Sequence, residues 1–164
     1  GLGDVYKRQE ENFARVLENK DAVQMNVSPT IQLLNVMHIP EYVEKMFDLG
    51  LKIDNLHISN VLTFPAWYHM NTLPTELKHT AHQKLDAHLE SYKDQEYIYK
   101  KLDWYYKSIK DYLWTEVPEK QAIDTHQDYI RITNKLDEVR NENFLETFPE
   151  LALHYNRTDL DEKQ

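Results

Sequence analysis

Residues 27–74 read VSPTIQLLNVMHIPEYVEKMFDLGLKIDNLHISNVLTFPAWYHMNTLP. This stretch decides the fold class, because its apolar period changes twice. Residues 22–35 are rich in β-branched and aliphatic side chains, among them Val23, Met25, Val27, Ile31, Leu33 and Leu34, which is strand composition. Pro29 sits inside that run. Proline gives no N–H to a ladder, so it marks an edge position, a bulge or a break between two shorter strands. His38-Ile39-Pro40-Glu41 opens a helix, since proline suits a first helical turn whose N–H groups are unpaired anyway. Val43, Met46 and Phe47 form its apolar face, and Gly50 supplies a left-handed end. Residues 53–64 read as a second strand. Leu56, Ile58, Asn60, Leu62 and Phe64 fall on one face, and His57, Ser59, Val61 and Thr63 on the other. Strand, helix, strand with short joints is the pattern of a parallel sheet. One such unit cannot close a sheet alone, so the stretch predicts the end of a larger α/β architecture.

Outward from it, residues 10–19 carry Phe13, Val16 and Leu17 at helical spacing and predict a short amphipathic helix. Downstream, Thr72 is the expected N-cap of a long helical region. Leu77, Ala81, Leu85 and Leu89 make a first stripe. Ile98, Leu102, Tyr105, Ile109, Tyr112 and Leu113 make a second. After Pro118, Ala122, Tyr129, Ile130, Thr133 and Leu136 make a third. Short loops between them predict an antiparallel helical layer. The expected organisation is therefore an α/β end region over 10–70, a helical region over 71–155 and a polar, frayed tail over 156–164. Residues 1–9 contain GDVYKRQ, which resembles translated sequencing adapter and is expected to be non-native.

Composition narrows the chemistry. The 164 residues carry a formal charge of −9, which argues against nucleic acid or an anionic membrane as partner. There is no cysteine, so the chain offers no disulfide, thiolate metal site, iron–sulfur ligand or cysteine nucleophile. No apolar run approaches the ~20 residues of a membrane-spanning helix. These features predict a cytoplasmic protein.

Motif searching finds no phosphate-binding glycine loop, no nucleophile elbow and no HExxH. Glu76, His79 and His82 lie three residues apart on a predicted helix. Neighbouring members could share a metal, but the trio drifts by about 60° per step, so a polar helix face is the plainer reading. Residues 92–114 concentrate tyrosine and tryptophan: Tyr97, Trp104, Tyr105, Tyr106, Tyr112 and Trp114. Such a helix can dock on a partner, or pack large amphipathic side chains at its solvent boundary. Ser28, Gln32, Asn35 and Asn60 are polar residues inside apolar strand segments. Each either satisfies a buried partner or faces a ligand, and capping a loop is the plain structural reading of Asn35 and Asn60.

The segments SPTIQLLNVMHIPEYVEKMFDLGL, LHISNVLTFPAWYHMNTLP and KLDEVRNENFLETFPEL together resemble the C-terminal part of radical SAM proteins described as twitch-domain-containing, common in phage and metagenomic sequences. The resemblance covers roughly residues 20–151. It implies the last strands of a partial (β/α)6 barrel followed by a mostly helical extension. It also implies a [4Fe–4S] cluster and S-adenosylmethionine in the full-length protein, which together generate a radical that abstracts hydrogen from a substrate. Ser28, Gln32, Asn35 and Asn60 then match cofactor-contacting positions on late strands. With no cysteine, no cluster ligand carries over. This region alone is expected to bind neither cofactor and to be inactive, with the upstream barrel portion as its partner. The alternative expectation is a small helical interaction module, adaptor-like, that docks through helix 92–114.

Overall fold

The computed structural model describes residues 11–18 and 25–156. The segment 1–9 and the predicted tail beyond Asn156 lie outside them. Helix α1 spans 11–18, as the Phe13/Val16/Leu17 spacing predicts. Strand β1 is Thr30–Ile31, helix α2 is Ile39–Asp48 and strand β2 is Asn60–Val61. Then come α3 (Thr75–Ser91), α4 (Glu96–Leu113), α5 (Glu119–Arg140) and two single turns, α6 (Phe144–Thr147) and α7 (Ala152–Tyr155).

Among the described residues the expected barrel end is not found, and the fold is helical with one two-stranded parallel sheet. Residues 22–24 of the first predicted strand lie outside the described residues; among the described ones the strands over 22–35 and 53–64 shrink to one parallel pair, Thr30 with Asn60 and Ile31 with Val61, plus a single bridge between Val27 and Leu56. Three local causes shorten them. Pro29 cannot donate to the ladder. After Ile31 the chain turns into a 3-10 helix, Val36–His38, and before Leu56 it makes another, Ile53–Asn55. Third, Asn35 occupies the outer edge of β1. Its Oδ1 accepts from Gln32 N at 2.9 Å and its Nδ2 donates to Thr30 O at 3.0 Å. One side-chain amide thus takes the place of a neighbouring strand's peptide.

The second strand is also out of phase with the reading from alternation. Between the Val27–Leu56 bridge and the Thr30–Asn60 pair it holds one more residue than the first strand, which is a bulge at the Ile58–Ser59 turn. One extra residue moves every later side chain to the opposite face. Leu56 and Ile58 are fully buried, whereas Asn60 is exposed and Phe64 is 82% exposed.

The helical layer follows its stripes closely. Helices α3 and α4 pack together, and Ala81, Leu85 and Leu89 of α3 and Leu102, Tyr105, Tyr106, Ile109 and Leu113 of α4 are all buried. Each fully buried aliphatic side chain contributes about 1.5–3 kcal/mol relative to exposure. Tyr112, expected on the buried stripe, is 43% exposed. The core continues into the strand–helix–strand unit through Ile31, Leu33, Val43, Leu56 and Ile58. It closes on α5 through Tyr129, against which Phe144 and Tyr68 pack edge-on. Gly50 takes φ +92° just past α2, as its role as a helix end requires. Thr72 is not the N-cap of α3. Pro74 holds that position, and the Thr72 hydroxyl donates to His69 O at 2.7 Å within a preceding 3-10 turn.

Candidate functional site

Three of the four polar residues singled out in the strands come together. The Asn60 Nδ2 donates to Thr30 Oγ1 at 3.1 Å, and Asn35 holds the Thr30 carbonyl. The Ser28 hydroxyl donates to His57 O at 3.2 Å, one step along the same strand pair. These groups form a polar strip on the solvent side of the strands, and their hydrogen bonds tie the pair together. Gln32 is elsewhere. It lines a cavity of about 350 Å³ between the β1 end, α5 and α6, with Tyr68, Arg140 and Phe144 among its walls.

The helix α4 presents a different surface. Tyr97 and Trp104 lie two turns apart on one face, 57% and 63% exposed. Lys100, Lys101 and Lys107 border them, in a chain of net charge −9. Asp54 fixes the start of this face: the Tyr97 hydroxyl donates to its carboxylate, and the Lys101 ammonium lies 3.4 Å from the same oxygen and over the Tyr97 ring. The tyrosine hydrogen bond first, and then the lysine, hold the Asp54 carboxyl below its ordinary pKa. The Trp104 indole rests against the Tyr105 ring with centroids 5.0 Å apart. Tyr105 is itself anchored, its buried hydroxyl donating to Leu56 O at 2.7 Å. The exposed tryptophan is therefore seated on a rigid base.

At the other end of α4, Trp114 explains the histidines. Its Nε1 donates to His82 Nδ1 at 3.0 Å, and its ring lies 4.9 Å from that of His79. With Nδ1 accepting, the His82 proton is on Nε2, which faces Asp86 at 3.2 Å. Both His82 nitrogens are thus engaged within the protein. Among the described residues no cluster of three or more His, Asp or Glu is placed to hold a metal ion.

Sequence reasoning missed a polar pin joining three helices. The His88 ring of α3 reaches Tyr106 Oη of α4 at 2.7 Å through Nδ1 and Glu44 Oε1 of α2 at 2.6 Å through Nε2. The Tyr92 hydroxyl donates to the same Glu44 oxygen at 2.6 Å. Burial raises the Glu44 carboxyl, but the hydrogen bonds from Tyr92 and His88 outweigh it, and its pKa ends below the ordinary value. Burial drives the Tyr106 phenol far up, so it stays protonated. No local pattern announces this contact, because its members are more than forty residues apart between Glu44 and the others.

Known proteins add no identity: no family model, curated protein or solved structure matches the chain.

Among the described residues no helix is long and apolar enough to cross a membrane.

Proposed function

We propose that the chain is a helical interaction module that docks a partner on the α4 face built from Tyr97 and Trp104. The observation that carries this reading is the exposure of Trp104, 63%, on an anchored ring partner. Large aromatic side chains held rigidly in solvent are the usual anchors of binding surfaces, because little rotamer freedom is lost when they are covered. The partner is a protein segment that combines apolar side chains with an acidic one, since Lys100 and Lys101 are paired with Glu96 and Asp54 while Lys107 has no ion pair among the described residues. The lack of cysteine in the sequence is consistent with a cytoplasmic setting. The test is binding of an array of acidic–apolar peptides to the whole chain, repeated with Trp104→Ala. Loss of binding in the variant, and weakening with salt, supports the reading. Retention of every hit in Trp104→Ala removes it.

A second reading rests on the polar strip of Ser28, Thr30 and Asn60 on the open side of the strands. It takes the chain as the C-terminal part of a radical SAM enzyme, the strip facing the portion that holds S-adenosylmethionine. A [4Fe–4S] cluster needs thiolates, and this sequence has none, so its residues do not fit the cluster and no step is derived through it. The upstream reading frame of the same gene decides: C-x3-C-x2-C ahead of repeated βα units supports this reading, and their absence ends it.

A further inference from the structure

The cavity beside Gln32 has a lining that α4 does not share, and what it can bind is independent of the docking surface. It measures about 350 Å³, within the range of small-molecule sites. Its lining mixes aromatic, amide and charged side chains. Phe144 and Phe148 sit together with ring centroids 5.1 Å apart, and Tyr68 is a third aromatic ring in the lining. Behind them Tyr129 packs edge-on against both Tyr68 and Phe144, at 6.3 and 5.9 Å. Tyr129 is 1% exposed, and its hydroxyl has no hydrogen-bond partner among the described residues.

The polar lining residues carry opposite charges. Arg140, the last residue of α5, lines the cavity and has no ion pair among the described residues. Its charge reaches the Tyr68 phenol: burial raises that group and the guanidinium partly offsets the rise. Gln32 adds an uncharged amide nearby. Two carboxylates, Asp137 and Glu142, also line it. Asp137 spends one oxygen on Phe144 N, at 2.9 Å, starting α6. Its other oxygen and the Glu142 carboxylate remain to accept. A purely anionic ligand would meet these carboxylates, and a purely cationic one would meet Arg140.

We propose that this cavity binds a small aromatic zwitterion of the α-amino-acid class. Its carboxylate pairs with the Arg140 guanidinium and the Gln32 amide, its ammonium with Asp137 and Glu142, and its ring lies against Phe144, Phe148 and Tyr68. Forked guanidinium–carboxylate pairing gives the strongest single contact.

The experiment is calorimetric titration of the whole chain with L-phenylalanine, phenylacetate and phenethylamine as probes. Saturable binding of phenylalanine, with each single-charge analogue at least ~10-fold weaker, is expected, since losing one charge-assisted contact costs about that factor. Arg140→Gln is expected to weaken phenylalanine by a similar factor and to leave phenethylamine unchanged. Equal affinity for all three probes, no saturable binding of phenylalanine, or an Arg140→Gln variant that binds it as the parent does overturns the proposal. If Arg140→Gln fails to fold, amide shift mapping on the unaltered chain decides. Phenylalanine-induced shifts confined to Gln32, Thr133 and Thr147 support the site, and shifts elsewhere or none overturn it.

Discussion

Tyr106→Phe removes one oxygen and tests whether the Glu44–His88–Tyr106 pin holds three helices together. The Tyr106 ring is fully buried, and the His88 side chain is only 9% exposed. Without the hydroxyl, His88 Nδ1 faces an apolar ring edge with little access to water. Leaving a buried polar atom unsatisfied costs about 1–3 kcal/mol. The phenylalanine fills nearly the same space, so the cavity penalty that dominates larger truncations is small. For a chain of this size each kcal/mol lowers the melting temperature by about 2–4 °C. Urea unfolding followed by far-ultraviolet circular dichroism reads the loss as a lower midpoint at unchanged slope. His88→Leu and the double variant complete a cycle, in which residues sharing a network couple by about 0.5–3 kcal/mol. A Tyr106→Phe variant as stable as the parent, or a cycle with no coupling, would show that the pin does not hold the helices.

Further outcomes follow from the same contacts. Tyr92→Phe lowers stability at neutral pH, and its difference from the parent shrinks as pH falls below 4.5, the ordinary value from which the Glu44 pKa is lowered. A carboxyl depressed on folding stabilises only while ionised, and that contribution is lost as it takes up a proton; chemical denaturation across pH reads this. Leu102→Ala, at the centre of the α3–α4 seam and fully buried, costs about 2–5 kcal/mol in the same unfolding assay. Asn35→Leu frees the Gln32 amide, so hydrogen exchange there quickens relative to the α4 core. Trp104→Ala changes stability by less than about 0.5 kcal/mol, as exposed substitutions do, while it abolishes partner binding.

The helical half of this fold was legible because its signal is local. Leu85, Leu89, Leu102, Ile109 and Leu113 each sit on a stripe of period 3.6, and each is buried. The strand half misled for reasons equally local in origin but invisible to alternation. A single inserted residue near Ser59 reversed the facing of Asn60 and Phe64. The Asn35 amide sealed an edge that the pattern left open for another strand. Composition reads strand propensity, but it does not count partners. The same limit applies to sites. Gln32, a polar residue in an apolar run, lines a cavity. Arg140, Asp137 and Phe148 reach that cavity from a region about a hundred residues away, through the packing of α5 and α6. The exposure of Trp104 against the burial of Tyr106, two residues on, follows from helix rotation once the buried stripe is known.

The central claim is that α2–α5 and the short strand pair share one core rather than forming a barrel end stripped of its partners. Equilibrium urea unfolding of the purified chain, followed by far-ultraviolet circular dichroism and by tyrosine and tryptophan fluorescence, tests it most directly. One core predicts a single transition with coincident midpoints from both probes. Separate midpoints would contradict it, as a broken sheet would come apart from the helices before they unfold.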